Sequence, residues 1–128
     1  MNTCKRKVVN CTIINHIGQF TNTKNGPTQG HQCSNEVGNC GCAHAEPRAI
    51  IAALKSEWYV DCILVCDYSP CSNCANIIID SGIVTKVGYN ILTEHDKRGV
   101  KLLKNSGIKV SGDKNEITRW LLDCGITL

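Results

Sequence analysis

Asp61-Cys62-Ile63-Leu64-Val65-Cys66 is a continuous apolar run, followed closely by Pro70-Cys71-Ser72-Asn73-Cys74. Its shortness and its lack of polar alternation predict a central strand buried on both faces. Pro70 ends the turn after it, and Cys71 to about Ser81 reads as a helix stopped by Gly82. Cys71 and Cys74 are three apart, so on a helix they share a face.

Upstream, Ala43 to about Lys55 has helical patterning, with small Ala45, Ala49, Ala52 and Ala53 that let a helix lie close to its neighbour. Pro47 is tolerated only in a first turn, where its missing N–H would be unpaired anyway, so this helix should begin near His44. Residues 24–42 are broken by Gly and Pro and predict a loop whose length points to function, metal ties or mobility. Residues 7–15 and Gln19 to Thr23 predict a hairpin. Downstream, Val84 to Tyr89 predicts a third buried strand, Asp96 to Asn105 a helix, Ile108 to Val110 a short edge strand and Asn115 to Asp123 an amphipathic helix carrying Trp120, Leu121 and Leu122. This order predicts a three-layer α/β/α domain over residues 1–128 with a five-stranded mixed sheet. A whole helix separates the Val84 and Ile108 strands, so these last two should be parallel.

A chain of 128 residues with 42% hydrophobic and 20% charged content fits one globular domain. The net charge of +3 is mild. Lys5-Arg6-Lys7 is the only basic run and reads most simply as a solvated strand entrance; nothing here is the footprint of a nucleic-acid binder. No apolar run approaches the roughly 20 residues needed to span a bilayer, which argues against a membrane role. The ten cysteines are the anomaly. The polar, basic start does not read as a secretion signal, and Cys11, Cys62 and Cys66 fall in apolar strand patterns where Cys acts as a small hydrophobe. A reducing, cytoplasmic setting is expected.

His44, Cys71 and Cys74 are three ligands suited to a tetrahedral zinc with its fourth position left open, the arrangement of sites that do chemistry rather than only hold a fold. Helix N-terminal amides favour thiolates, which primes both cysteines. Glu46, two residues from His44, is placed to handle the protons of a water in the open position. A plain redox pair or structural clip would explain Cys71 and Cys74 but neither Pro70 nor the His-Ala-Glu triplet.

His-x-Glu at a helix start followed by Pro-Cys-x-x-Cys resembles the signature of the zinc deaminases. The chain is similar to the cytidine deaminase superfamily, and within it most to the deoxycytidylate (dCMP) deaminases. The likeness runs through Cys4-Lys-Arg-Lys-Val-Val, Asn25-Gly26 with His31-x-Cys33, His44-Ala-Glu46 with Ala49-Ile50, Pro70-Cys71-Ser-Asn-Cys74 with Ile77-Ile78, and Asp96-Lys-Arg-Gly99 through Gly107-Ile108. It implies a cytidine deaminase-like fold, a zinc cofactor, and conversion of dCMP to dUMP and ammonia with Glu46 as proton shuttle. It also implies that Asn25 binds the deoxyribose, although a plain Asn-Gly turn accounts for the same residues. Tyr68 and Tyr89 fall at carboxyl ends of strands, where α/β ligands bind, and either stack on a base or pack.

Three departures qualify the likeness. The family's helix before the first strand has no counterpart, so the last helix or a partner subunit should cover that sheet face, and a homo-oligomer is expected. Arg48 stands where the family usually has Asn; it either meets the substrate or is a surface or ion-paired residue. The shorter 25–44 loop argues against control by dCTP. In that loop His31, Cys33, Cys40 and Cys42 could ligate a second, structural zinc, as in some relatives, although their spacing matches no common knuckle and free thiols are the simpler account. Cys4, Cys62, Cys66 and Cys124 read as core or surface thiols. Two other functions stay open: deamination of a nucleoside, a base or a base within a polynucleotide, and a zinc-stabilised binding domain without catalysis.

Overall fold

A computed structural model describes residues 4, 5, 7–36, 41–92 and 97–126. Along the chain run β1 (Asn10–Ile14), β2 (Phe20–Lys24), β3 (Gly26–Pro27), β4 (Cys42–Ala43), α1 (Ala45–Lys55), β5 (Cys62–Tyr68), α2 (Ser72–Ser81), β6 (Val84–Ile91), α3 (Arg98–Asn105), β7 (Lys109–Ser111) and α4 (Lys114–Asp123). The apolar run at Cys62 becomes the middle of a five-stranded sheet of order β2-β1-β5-β6-β7. β1 is antiparallel to β2 and β5, while β5–β6 and β6–β7 are parallel, each pair joined through a helix. This is the mixed α/β sheet expected, with β7 at an edge.

Alternation along the strands divides the core. Cys11 and Ile13 of β1 and Cys62, Leu64 and Cys66 of β5 pack with Ala45, Ala49, Ile50 and Ala53 of α1 and Ala75 and Ile78 of α2. Ile14 and Ile63, one step out of phase, point to the other face and meet Ile117 and Trp120 of α4. A Cβ on Gly88 of β6 would lie 2.8 Å from the Ile117 side chain, so α4 seats where that strand carries none. The last helix thus covers the second face, one of the two expected alternatives.

The boundaries depart from the expectation in informative ways. β1 begins at Asn10 rather than Lys7. The Asn25 side chain takes over the preceding residues, its Oδ1 accepting from the Val9 N–H at 2.7 Å and its Nδ2 donating to the Lys7 carbonyl at 2.8 Å. β5 runs on to Tyr68 because parallel pairing with Ile91 of β6 continues past the apolar residues. Within the 24–42 loop, β3 and β4 form a two-residue antiparallel ladder that sequence periodicity does not show. α2 ends as expected at Gly82, in the left-handed conformation with φ 69°. Asp96, the expected start of α3, lies outside the described residues, as does Cys40.

Candidate active site

Two helix starts converge at the carboxyl end of β5. His44 and Cys71 are the N-cap residues of α1 and α2, both with extended backbone, and Cys74 lies one turn into α2. Thr23 of β2 donates its hydroxyl to the Ala45 carbonyl at 2.8 Å, which pins the first turn of α1 to the sheet. A Cβ on Gly99 of α3 would lie 2.0 Å from the Pro70 carbonyl oxygen and 2.9 Å from the Cys71 backbone, so α3 buttresses the cysteine turn from behind. Sequence reading passed over that role of Gly99, since a glycine inside a helix carries no pattern that reveals a close approach.

The ligand atoms of His44, Cys71 and Cys74 all lie within 4.8 Å of one another. His44 Nδ1 is 3.1 Å from Cys74 Sγ and 4.0 Å from Cys71 Sγ. Tetrahedral zinc with Zn–S of about 2.3 Å and Zn–N of about 2.0 Å places such atoms roughly 3.5–3.8 Å apart, so the three side chains fit the ion with little movement. With Cys74 and His44 as hydrogen-bond partners, Cys71 is lowered to about 4, the direction a ligand thiolate needs. The same bond from Cys71 holds the His44 ring above its ordinary value, and Cys74, sharing its proton with Cys71, is pushed up.

Glu46 is 7% exposed, and burial raises its carboxyl above the ordinary range. It shares a cavity of about 180 Å³ with His44, Cys71, Asn25, Tyr68, Ser69 and Lys7. The structure therefore gathers His44, Glu46, Cys71, Cys74, Asn25 and Tyr68 around one site. Arg48 and Tyr89 lie elsewhere. Arg48 is not among the residues lining this cavity and donates to the carbonyls of Lys24, Gly26 and Pro27 at 2.9–3.0 Å, clamping the turn that carries Asn25. Tyr89 lines a separate cavity of about 570 Å³ beside Lys114, Ile117 and Thr118 of α4, and its ring packs on Gly112.

A second thiol group forms nearby. Cys4, Cys33 and Cys42 have their sulfurs within 4.8 Å of one another, Cys4 and Cys33 at 3.8 Å. Burial raises the Cys33 thiol, but the backbone N–H groups of Lys5 and Asn35 and the thiols of Cys42 and Cys4 outweigh it and hold the group at about 6. Of the four loop residues considered for a second metal, the structure brings Cys33 and Cys42 together, adds Cys4 in place of His31, and leaves Cys40 outside the described residues. Sequence reading left Cys4 among the inert thiols because nothing local links residue 4 to residues 33 and 42.

An α/β sheet that aims two helix N-termini, a His-Cys-Cys group and a buried carboxylate at one cavity defines a metal-site protein with room for a further ligand. The chain belongs to the family described as the cytidine and deoxycytidylate deaminase zinc-binding region, whose model matches residues 1–90. It is 30% identical over 120 residues to a deoxycytidylate deaminase of Saccharomyces cerevisiae, covering 84% of this chain and 38% of that protein. The chain thus spans well under half the length of the curated relatives it matches. Among solved structures, the dCMP deaminase of cyanophage S-TIM5 in complex with dCMP and dUMP superposes with a TM-score of 0.73 at 30% identity, covering 84% of this chain and 82% of that one. A guanine deaminase from Nitrosomonas europaea shares the fold, with a TM-score of 0.56 at 18% identity over 92% of this chain and 73% of the other.

Proposed function

We propose that this chain is a zinc-dependent hydrolase that converts dCMP and water to dUMP and ammonia. The observation that carries the reading is the buried Glu46 carboxylate in one cavity with His44 and Cys71. The likeness to the cyanophage enzyme crystallised with dCMP and dUMP supports the substrate. His44, Cys71 and Cys74 would hold the zinc, which when bound lowers the pKa of a water ligand far below that of bulk water, to about 7.

The protein's own part is proton transfer and positioning. Glu46 accepts a proton from the attacking water as its oxygen bonds to C4 of the cytosine ring, and delivers that proton to N3. It then takes the second proton from the oxygen now on C4 and passes it to the amine; the C4–N4 bond breaks, C4=O forms, and ammonia leaves. Its burial, which raises the carboxyl, suits a group that must both accept and give a proton near neutral pH. Asn25, anchored on the backbone of Lys7 and Val9, faces the same cavity and keeps one amide hydrogen and one lone pair for the deoxyribose.

The Cys4–Cys33–Cys42 group would hold a second, structural zinc that ties the N-terminal segment to the loop before α1. None of the nine described cysteines is in a disulfide, and a reducing, cytoplasmic setting suits a chain so rich in thiols. No helix among the described residues is long and apolar enough to cross a membrane. Exposed Ile51 and Leu54 on α1 and Ile77 on α2 support self-association into a homo-oligomer.

Ammonia release from dCMP, CMP, dCTP, deoxycytidine, guanine, adenosine and a short oligonucleotide tests the assignment. dCMP is expected to be the best substrate; inert dCMP beside turnover of another compound would overturn it.

A further inference from the structure

Beneath the cavity that holds His44 and Glu46 lies a pair of thiols that the chemistry above does not use. Alternate residues of an extended chain share a face, so Cys11 of β1 sits one step below Val9, and Cys66 of β5 one step below Tyr68. Val9 and Tyr68 line the cavity. Cys11 and Cys66 are register partners across the β1–β5 ladder, 0% and 2% exposed, and pack with Ala45 and Ala49 of α1. On its other side Cys11 is the partner of Thr23, whose hydroxyl bonds the Ala45 carbonyl at 2.8 Å. Cys11 is therefore set under the first turn of α1, the turn that carries Glu46. Sequence reading took both thiols as small hydrophobes of buried strands.

Their electrostatics give the contacts a direction. The Cys66 thiol, bonded to Cys11, draws Cys11 down, but burial, the charges of Glu46 and Asp67 and a side-chain bond to Glu46 outweigh it and hold Cys11 above its ordinary value. Burial, and then the bond to Cys11, push Cys66 up. Both groups thus keep their protons, so Cys66 donates its S–H to the Cys11 sulfur and Cys11 donates to a carboxylate oxygen of Glu46. A buried carboxylate needs such donors. The Cys74 side chain also bonds Glu46, but as a zinc ligand it gives up its proton. Cys11 keeps its own.

We infer that Cys11 is a positioning residue for the proton shuttle: its thiol holds one oxygen of Glu46 and leaves the other aimed into the cavity. The inference rests on the deaminase reading above and deepens it, because a carboxylate that serves two proton transfers must keep one orientation through both. The strand beneath α1 then takes part in the reaction through Glu46 without touching the substrate.

A thiol that only fills space and a thiol that positions give opposite orders of variants. Ala and Val suit a buried apolar place where Ser would strand a hydroxyl, whereas Ser can replace a donor and Ala and Val cannot. The test is steady-state ammonia release from dCMP by the zinc-loaded full chain, with zinc per chain measured beside it. Cys11→Ala and Cys11→Val are expected to lower kcat by about 3- to 10-fold, the worth of one hydrogen bond, with KM and zinc content close to wild type. Cys11→Ser should recover most of the loss. If wild type turns over dCMP and the Ala and Val variants match it, or Ser is the slowest of the three, or the loss falls on KM, the positioning role is overturned while the deaminase reading stands.

A second measurement does not depend on turnover. Cys11→Ser, Glu46→Ala and the double variant are unfolded by denaturant in zinc-loaded form. Cys11→Ser should raise the unfolding equilibrium constant by a factor about threefold or more larger in the Glu46→Ala background than with Glu46 present, because its hydroxyl has lost its acceptor. An equal effect in both backgrounds would overturn the contact. If the wild type leaves dCMP untouched, the deaminase reading falls and takes the positioning role with it.

Discussion

Two clusters of metal-type ligands meet along the chain at Cys42 and His44, and they are built differently. His44, Cys71 and Cys74 stand on the first turns of two helices, border a cavity and have a buried carboxylate beside them. Cys4, Cys33 and Cys42 come from a terminal segment, a loop and a two-residue strand, and the carboxylate and cavity are at the other cluster. Rigid elements hold side chains for reaction, whereas scattered irregular segments gain most from being tied together. Under the proposed function, the same residue types would thus support chemistry in one place and architecture in the other.

The sharpest way to break this contrast is Glu46→Gln. It should leave zinc content and thermal stability near wild type while turnover falls by about 10²- to 10⁴-fold, measured as ammonia release beside metal analysis. Normal turnover would remove the carboxylate from the mechanism. Cys33→Ser should do the reverse. Zinc per chain should fall by one and stability by about 4 kcal/mol or more, read from denaturant melts, while chains still folded keep their activity. Unchanged zinc content would show the thiol group to be metal-free.

Gly99→Ala tests whether the reactive cluster depends on its buttress. The added methyl overlaps the Pro70 carbonyl, so α3 or the cysteine turn must shift, at a cost of about 1–3 kcal/mol. Turnover should drop with it, because Cys71 and Cys74 both follow that turn. An active, fully stable Gly99→Ala would mean that α3 can slide without moving the site.

The smallest effect is on alkaline stability. Burial and the nearby Asp61 push the Cys62 thiol up to about 11 from its ordinary 9.0. The folded state therefore keeps a proton that the unfolded chain releases first. Stability from this group is present below pH 9.0 and is lost as pH rises through about 11. Cys62→Ala should flatten that part of the stability–pH curve measured by chemical denaturation, although it lowers stability at all pH values.

Much of this was legible in the chain. The strand and helix order followed from apolar runs, Gly82 and the first-turn Pro47, and the grouping of His44, Cys71 and Cys74 beside Glu46 followed from spacing on helix starts. What stayed hidden depended on contacts between distant segments. Cys4 joins Cys33 and Cys42 only after the N-terminal segment folds beside the loop, where the Cys4 N–H bonds the Asn25 carbonyl. Tyr68 ends β5 and Tyr89 lies two residues before the end of β6, so they look alike in sequence, yet one lines the cavity with Glu46 and the other a cavity beside α4. The contact of Lys7 with the Tyr68 ring was equally hidden, because Tyr68 ends β5, far along the chain.

The Arg48 clamp has a consequence for anyone redesigning the protein. Its guanidinium ties α1 to the carbonyls of Lys24, Gly26 and Pro27, so helix and turn form one interchangeable part. Grafting the turn from a relative with Asn at this helix position, in order to change sugar preference, would leave three carbonyls fitted to an absent or mismatched donor. The transplant unit is the turn together with residue 48. Libraries that vary 24–27 alone would sample loops detached from the helix that aims His44 and Glu46.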